Sequence, residues 1–282
     1  MFFLPLFDDN ATGQPPVITW LIIAICAFGF LWQQSLDPTA AYIAIYQLGF
    51  VPAIVFNGET LPAEMTLVAS WMTFITSMFL HGGWMHIGGN MLYLWIFGDN
   101  VEDSMGALKF SLFYIICGIA AAMAQAAIDP ASTVPMIGAS GGIAGVLGAY
   151  LMLHPKAAVR CFFLIIVFFR FINLPAWLVL GVWIGGQFIA APQALSSDGS
   201  GIAYMAHIGG FLAGMALIPL FKSAHVSLFD RGQPPKTWSG QPISFARLKS
   251  EARERFRLKA KQPTRSSVPS TNDRPHKKGP WG

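Results

Sequence analysis

Apolar residues in this 282-residue chain are gathered into long, nearly uninterrupted runs and do not recur at the spacing of a soluble amphipathic helix. A helix needs about 20 mostly apolar residues to cross a bilayer. Six runs approach or reach that length: 16–32, 84–98, 107–128, 136–153, 175–191 and 201–221. The pattern predicts an all-α polytopic membrane protein with six transmembrane helices, and a seven-span chain is the competing interpretation.

Two shorter apolar runs do not fit a simple count of spans. Residues 161–169 form a run that ends at Arg170 and is too short to cross as a helix. Residues 66–80 are separated from the second span by His81 and two glycines. Non-helical backbone is tolerated at membrane depth only where protein covers it. We therefore expect both runs to be interfacial or buried in protein.

Charge adds an orientation to this pattern. Residues 222–282 hold 14 Lys and Arg against 4 Asp and Glu, whereas the preceding 221 residues hold 4 against 10. Positive charge next to membrane spans marks the cytoplasmic side, so this basic segment is better explained as a cytoplasmic tail than as a nucleic-acid-binding element. Six spans then place the N-terminus in the cytoplasm as well. The connection after the fourth span, which carries Lys156, Arg160 and Arg170, agrees with this orientation.

The same division predicts two parts in the chain. Residues 1–221 form the membrane domain, and residues 222–282 form the basic tail. Within the tail, residues 245–261 are rich in helix formers and residues from 262 onward have the composition of a disordered segment. Overall, 54% of the residues are hydrophobic and 11% charged, which excludes an ordinary soluble domain with its usual ~25% of charged residues. The first ten residues lack a basic region and do not resemble a signal peptide.

Candidate chemistry lies in the few polar residues inside the predicted spans, because such residues are costly to bury and are functional by default. They are His86, Asn90, Ser140, Gln187 and His207, and no Asp or Glu falls within any span. His86, Ser140 and His207 each lie near the start of a span that enters from the outer face. Three independent segments therefore place polar side chains in one shallow layer of the outer leaflet.

The surroundings of Ser140 and His207 are rich in glycine. Ser140 lies in the stretch 138–142 and His207 in the stretch 206–210, each continued by small residues at a spacing of four. That spacing lets helix backbones approach closely. Helix packing alone would explain the glycines but not the serine and histidine among them. His86 and Asn90 are four residues apart on one helix face, where they either make an interhelical hydrogen bond or act as donors to an oxyanion.

These motifs closely resemble the rhomboid family. The resemblance covers residues 77–214 and is carried by three sequence patterns in the family's order: His86-x-x-x-Asn90, Gly138-Ala139-Ser140-Gly141 and Ala206-His207-x-x-Gly210. Glu102 also matches the acidic residue that follows the family's second span. Each pattern alone is weak, but three together on spans of matching orientation are specific.

The resemblance implies a six-helix bundle with a water-filled cavity that opens outward. It implies a Ser–His dyad in which Ser140 attacks the scissile carbonyl and His207 acts as general base and then general acid. His86, Asn90 and the Ser140 backbone N–H would form the oxyanion hole. The segment 33–83 would be the family's lateral first loop, residues 192–200 would cover the site, and the fifth span would control substrate access.

The chain departs from many family members at two places. Many members carry an aromatic residue four positions after the serine, where this chain has Ala144, and no Trp-Arg pair is recognisable in the first loop. These departures concern the shape of the site and the stability of the loop. They leave the predicted chemistry unchanged.

The sequence thus predicts an intramembrane serine endopeptidase that cleaves transmembrane segments of single-span or polytopic proteins, with no cofactor, no metal and no nucleic-acid partner. A zinc protease would need HExxH and an aspartyl protease two intramembrane Asp, and the chain has neither. A transporter and an inactive rhomboid-like scaffold remain as alternatives. A six-span chain with a cytoplasmic tail fits a bacterial inner membrane better than an organelle.

Overall fold

The computed structural model describes residues 2–165, 168–196 and 203–230. The tail segments 245–261 and 262–282, and the start of the predicted sixth span at residue 201, lie outside the described residues. The division at residue 221 stays a prediction. Residues 223–230 nevertheless contact the membrane domain, since Ser223 N donates to Ser104 O at 2.8 Å and Phe229 N to Met152 O at 2.7 Å.

In the described ranges, six long helices follow one another in the order of the six predicted spans. They are α1 (Val17–Ser35), α5 (Trp84–Met105), α6 (Ala107–Ala126), α7 (Ser140–Leu153), α8 (Ala176–Ser196) and α9 (Tyr204–Phe221). The connection between α1 and α5 contains the short helices α2 (Pro38–Leu48), α3 (Pro52–Phe56) and α4 (Thr73–Thr76), and 3-10 turns at Ala63–Met65, Ser70–Met72 and Ser77–Phe79. The long predicted first loop is therefore largely helical.

Within the described residues, α1, α6 and α9 are each long and apolar enough to cross a bilayer. A fourth span is possible if α5 is combined with the segment 63–79, from which it is bent by 82°. The remaining two long helices fall short: the 14 residues of α7 extend only about 21 Å, and the apolar part of α8 covers only Ala176–Pro192. The protein is thus an integral membrane protein, while the count of six spans remains a prediction.

The helix α7 is shorter than its apolar run because residues 136–139 are not helical. Phe50 and Met136 pair as an isolated antiparallel bridge, with Phe50 N donating to Met136 O at 3.0 Å and Met136 N to Phe50 O at 2.8 Å. The bridge fixes the run at Met136, and a turn at Gly138 and Ala139 then leads into Ser140, which is the first residue of α7. Hydrophobicity alone could not separate the non-helical part of the run from the helical part.

The protein is mostly helical, as predicted, but it is not all-α, because the described residues also form a three-stranded antiparallel sheet. It consists of β1 (Phe2–Asp8), β2 (Ala158–Ile165) and β3 (Phe168–Pro175), paired in the order β1-β2-β3. The run 161–169, predicted to be interfacial or protein-buried, contributes to β2 and β3. In β2, Val159 and Cys161 are buried while Arg160 and Phe162 are only partly covered, so the side chains alternate with the period of two expected of a strand.

A partly buried carboxyl group, that of Asp8, joins this sheet to the bundle. Asp8, at the end of β1, accepts hydrogen bonds from Tyr150 Oη of α7 and from Asn100 Nδ2 of α5, the latter at 3.1 Å. Burial is the main reason that the pKa of Asp8 is raised to about 7; the bond from Tyr150 opposes this shift, and the charge of Asp99 reinforces it. The N-terminal strand is therefore fixed to two helices of the membrane domain.

Glu102 links α1 to α5. Its carboxylate accepts hydrogen bonds from the backbone N–H groups of Ile18 at 2.9 Å and Thr19 at 2.8 Å, and from Thr19 Oγ1 at 2.8 Å. The first N–H groups of a helix have no partner within the helix, and a negative charge there is favourable. The acidic residue that the family resemblance picked out thus has a structural function here, because it caps the first long helix.

Helices α7 and α9 pack closely against each other, which confirms the close approach predicted from the glycine spacing. A Cβ atom added at Gly210 would collide with the carbonyl oxygen of Gly141, and one added at Gly214 would collide with Gly145. Backbone therefore lies directly against backbone along this seam. Because Ser140 begins α7 and His207 lies in the first turn of α9, the seam brings these two residues to the same end of the pair.

We expect Gly214→Val to destabilise the purified protein, because the added side chain would overlap the Gly145 backbone. Overpacking of this kind costs about 1–3 kcal/mol. Gly181→Val in α8 is the matched control, since a Cβ at Gly181 meets nothing within 4 Å. Thermal unfolding in detergent should show a clear loss for Gly214→Val only. Equal melting temperatures in the two variants would contradict the close seam.

Candidate active site

A cavity of about 230 Å³ lies between α5, α7, α8 and α9. The four site residues predicted from the sequence all line it: His86, Asn90, Ser140 and His207. They come from three different helices that are far apart in the chain. The structure therefore brings the whole predicted set together around one space.

Ser140 and His207 are in direct contact. Ser140 Oγ lies 2.9 Å from His207 Nε2, which is the distance of a normal hydrogen bond. A serine hydroxyl bonded to an imidazole nitrogen is the arrangement in which the imidazole can remove the hydroxyl proton during nucleophilic attack. The apolar helices around the pair provide the low-dielectric surroundings in which such contacts are strengthened.

The His207 ring also contacts α8 through two residues. Gln187 Oε1 lies 2.7 Å from His207 Nδ1, and the Trp183 ring centroid lies 5.7 Å from that of His207 at an interplanar angle of 39°. Sequence reasoning singled out Gln187 as a polar residue in a span but assigned it no function, and it overlooked Trp183. The aromatic partner that Ala144 cannot supply thus comes from α8. Ala144 itself is buried, with its Cβ 3.3 Å from where a Cβ on Gly210 would lie.

His86 presents an N–H group to the cavity. Its Nδ1 accepts a hydrogen bond from Gly82 N at 3.3 Å, so in the neutral ring the proton is on Nε2. Asn90 lies one turn further along α5, and its Nδ2 is buried without a hydrogen-bond partner among the described residues. A buried amide donor normally has a partner, so each such exception needs an explanation. Here the amide donor lines the same cavity as Ser140.

Gly138 determines how closely these donors approach the start of α7. Its φ of 126° lies in the region that favours glycine, and a Cβ there would be 2.8 Å from His86 Nε2 and 3.7 Å from Asn90 Nδ2. Gly138 N donates to Ser77 O at 2.9 Å, which fixes the turn. Only glycine leaves space between the two donors and the residue that begins the helix.

His81 lies outside this cavity. It is buried, its ring centroid is 5.3 Å from that of His86, and its backbone N donates to Gln33 Oε1 at 2.9 Å. In the ranges the structure describes, no three His, Cys, Asp or Glu side chains converge in a way that could hold a metal ion. Apart from Tyr93 and Trp183, the polar residues that line the cavity are Ser140, the two histidines His86 and His207, and Asn90.

Comparison with known proteins identifies the family to which this chain belongs. A profile described as the Rhomboid domain matches residues 68–224, more than half of the chain. The chain is 34% identical over 162 residues to Rhomboid protease GluP of Bacillus subtilis, which covers 51% of this chain and 31% of that protein. It is 30% identical over 159 residues to the mitochondrial Rhomboid protein 1 of Saccharomyces cerevisiae, covering 52% and 41%.

A third relative is the chloroplastic Rhomboid-like protein 11 of Arabidopsis thaliana, 27% identical over 172 residues that cover 57% of this chain and 56% of that one. The chain thus spans between about a third and just over half the length of the curated relatives it matches. The matched region contains all four predicted site residues and the helices α5 to α9 that surround the cavity. The chain belongs to the rhomboid family.

Proposed function

We propose that this protein is an intramembrane serine endopeptidase that hydrolyses peptide bonds in the transmembrane segments of other membrane proteins. The observation that carries the proposal is the 2.9 Å contact between Ser140 Oγ and His207 Nε2 inside a cavity of a membrane protein. Family membership supports it, as does the name of the relative GluP, a rhomboid protease.

In the proposed reaction, Ser140 Oγ attacks the scissile carbonyl carbon and His207 Nε2 takes the hydroxyl proton. His207 then donates that proton to the leaving amine, and the acyl group remains on Ser140. A water molecule, deprotonated by His207, attacks the ester and releases the second product. Ser140 recovers its proton from His207 at the end of the cycle.

The negative oxygen of each tetrahedral intermediate needs hydrogen-bond donors that are already in place. His86 Nε2–H and Asn90 Nδ2 supply two neutral donors on one side of Gly138. The Ser140 backbone N–H, at the N-terminus of α7, supplies a third, because the first N–H groups of a helix have no partner within it. Donors fixed in this way stabilise the charge without reorganising during the reaction.

The test is cleavage of a generic transmembrane substrate by detergent-purified protein, comparing the wild type with Ser140→Ala. We expect two products from the wild type and none from the variant, because the variant lacks the attacking oxygen. An inactive scaffold would give no product with either protein. Cleavage by Ser140→Ala at the wild-type rate would reveal a contaminating protease.

The charge distribution supports a proposal for orientation, with both termini in the cytoplasm of a bacterial inner membrane. A reporter fused at Gly282 should read cytoplasmic, and one inserted near Ser197 should read external. This follows because Lys and Arg next to spans are retained on the cytoplasmic side. An external Gly282 would contradict both the proposed orientation and the six-span count. The bilayer and membrane-protein substrates are the proposed partners, and the basic tail is proposed to bind no nucleic acid.

A further inference from the structure

The proposed base is held by a different helix from the one that carries it. His207 belongs to α9, but both contacts that restrain its ring on the side away from Ser140 come from α8. These are the 2.7 Å approach of Gln187 Oε1 to Nδ1 and the tilted ring contact with Trp183. No Asp or Glu lies in any apolar run that forms the bundle, so an amide stands where serine proteases with a triad have a carboxylate.

The direction of each hydrogen bond follows from Gln187. Its Nε2 lies 3.4 Å from the backbone oxygen of Trp183, and because a carbonyl oxygen can only accept, that end of the amide is the donor. The other end, Oε1, can also only accept, so His207 Nδ1 carries a hydrogen. In a neutral imidazole the remaining nitrogen, Nε2, is then unprotonated. That nitrogen lies 2.9 Å from Ser140 Oγ and can accept the hydroxyl proton.

We infer that Gln187 is a positioning residue for His207: its amide oxygen accepts the Nδ1–H and so keeps the lone pair of Nε2 directed at Ser140. The inference rests on the proposed function, since it concerns the same site. An aspartate in this position fixes the tautomer and also stabilises the imidazolium charge. Glutamine can do only the first, but it avoids the cost of placing a charged residue inside the membrane.

Position on α8 gives this residue a second consequence. Gln187 and Trp183 lie one turn apart on the same helix, so a displacement of α8 away from α9 would remove both restraints on the ring together. The base would then be correctly oriented only while α8 is packed against α9. The packing of α8 against α9 thereby controls whether the His207 ring is oriented toward Ser140.

Two substitutions separate the functions of the amide. Gln187→Met keeps the length of the side chain but removes the acceptor, so either tautomer and other ring orientations become accessible. A fixed wrong tautomer costs about 10⁴ in kcat in serine proteases with a triad. In Gln187→Met both tautomers of His207 are accessible and a part of the population keeps the correct one, so the cost should be smaller. We expect kcat to fall on the order of tenfold to a hundredfold, with KM nearly unchanged. Gln187→Glu keeps an acceptor in place and adds a negative charge.

The pH–rate profile gives a readout that a packing role would not alter. A carboxylate next to an imidazole favours the protonated ring, which cannot act as a base. In Gln187→Glu, the acidic limb of kcat against pH should therefore move to higher pH by roughly one pH unit or more. At alkaline pH this variant should keep more activity than Gln187→Met. Phe188→Leu, at the exposed neighbouring position of α8, is the matched control and should behave as the wild type.

Melting temperature, kcat, KM and reaction of Ser140 with a fluorophosphonate are measured on the same preparations of all four proteins. A fall in kcat for Gln187→Met together with the shifted limb of Gln187→Glu supports the inference. If the wild type cleaves normally and both variants keep its kcat and pH profile, the positioning role is overturned while the proposed function stands. If kcat and melting temperature fall together and the limb does not move, Gln187 only packs, which also overturns it. A wild type that neither cleaves nor reacts overturns the proposed function and the inference with it.

Discussion

Substitution of His207 by alanine should abolish both cleavage and covalent labelling of Ser140 by a fluorophosphonate. The hydroxyl of a serine is a weak nucleophile at neutral pH unless a base removes its proton. His207 Nε2 lies 2.9 Å from Ser140 Oγ and is therefore positioned to remove this proton. In comparable serine proteases, loss of the histidine alone costs about 10⁶ in kcat. A loss of this size would leave no measurable product.

His225→Ala is the control for this experiment, since His225 is exposed and lies outside the cavity. It should cleave substrate and react with the probe as the wild type does. The melting temperature of His207→Ala should stay close to that of the wild type, because its backbone and its helix contacts are retained. Undiminished labelling of Ser140 in His207→Ala would remove His207 from the mechanism.

The second large effect is expected at the two cavity donors of α5. Removal of one oxyanion donor costs about 2.7–4 kcal/mol in comparable sites, or a factor of 10²–10³ in kcat. His86→Ala and Asn90→Ala should therefore each lose roughly a hundredfold or more in turnover with little change in KM, because the donors act only as charge develops. Ser140 should still react with a small phosphonate in both variants, at a reduced rate.

A purely structural role for His86 and Asn90 makes the opposite prediction. Interhelical hydrogen bonds in membranes average about 0.6 kcal/mol, so turnover would stay near normal and a little thermal stability would be lost. Asn90 Nδ2 has no hydrogen-bond partner in the part of the chain that the structure describes, so this donor makes no interhelical bond there whose loss could explain an effect. Asn173→Ala, an exposed amide on β3, is the control. A loss of stability with unchanged kcat in His86→Ala and Asn90→Ala would exclude the oxyanion role.

Much of the helical part of this fold could be predicted from hydrophobicity, because the signal needed is only a long apolar run. The sheet could not, since Phe2–Asp8 and Ala158–Ile165 are distant in sequence and pair only in the folded chain. The same limit applies to residues 136–139, where Met136 pairs with the distant Phe50 and the helix begins only at Ser140. Pairing between distant segments leaves no trace in the local pattern of either one.

The candidate site was more predictable, because a polar residue inside a membrane span is rare and costly. That cost alone isolated His86, Asn90, Ser140 and His207, and the structure places all four around one cavity. The same argument singled out Gln187. Its partner, however, cannot be predicted from the spacing of residues along the sequence, because the two residues lie on different helices. Trp183 gave no signal, since a tryptophan in an apolar run is ordinary.

The central claim is that Ser140 is the nucleophile of a membrane-embedded hydrolase, and covalent occupancy tests it most directly. Purified protein is treated with increasing amounts of a fluorophosphonate, the modified residue is identified by peptide mass mapping, and residual cleavage of a transmembrane substrate is measured in each sample. We expect the adduct on Ser140, with residual cleavage falling in proportion to its occupancy, and no adduct in Ser140→Ala. Full cleavage by protein whose Ser140 is completely modified, or an inactivating adduct on another residue, would contradict the account.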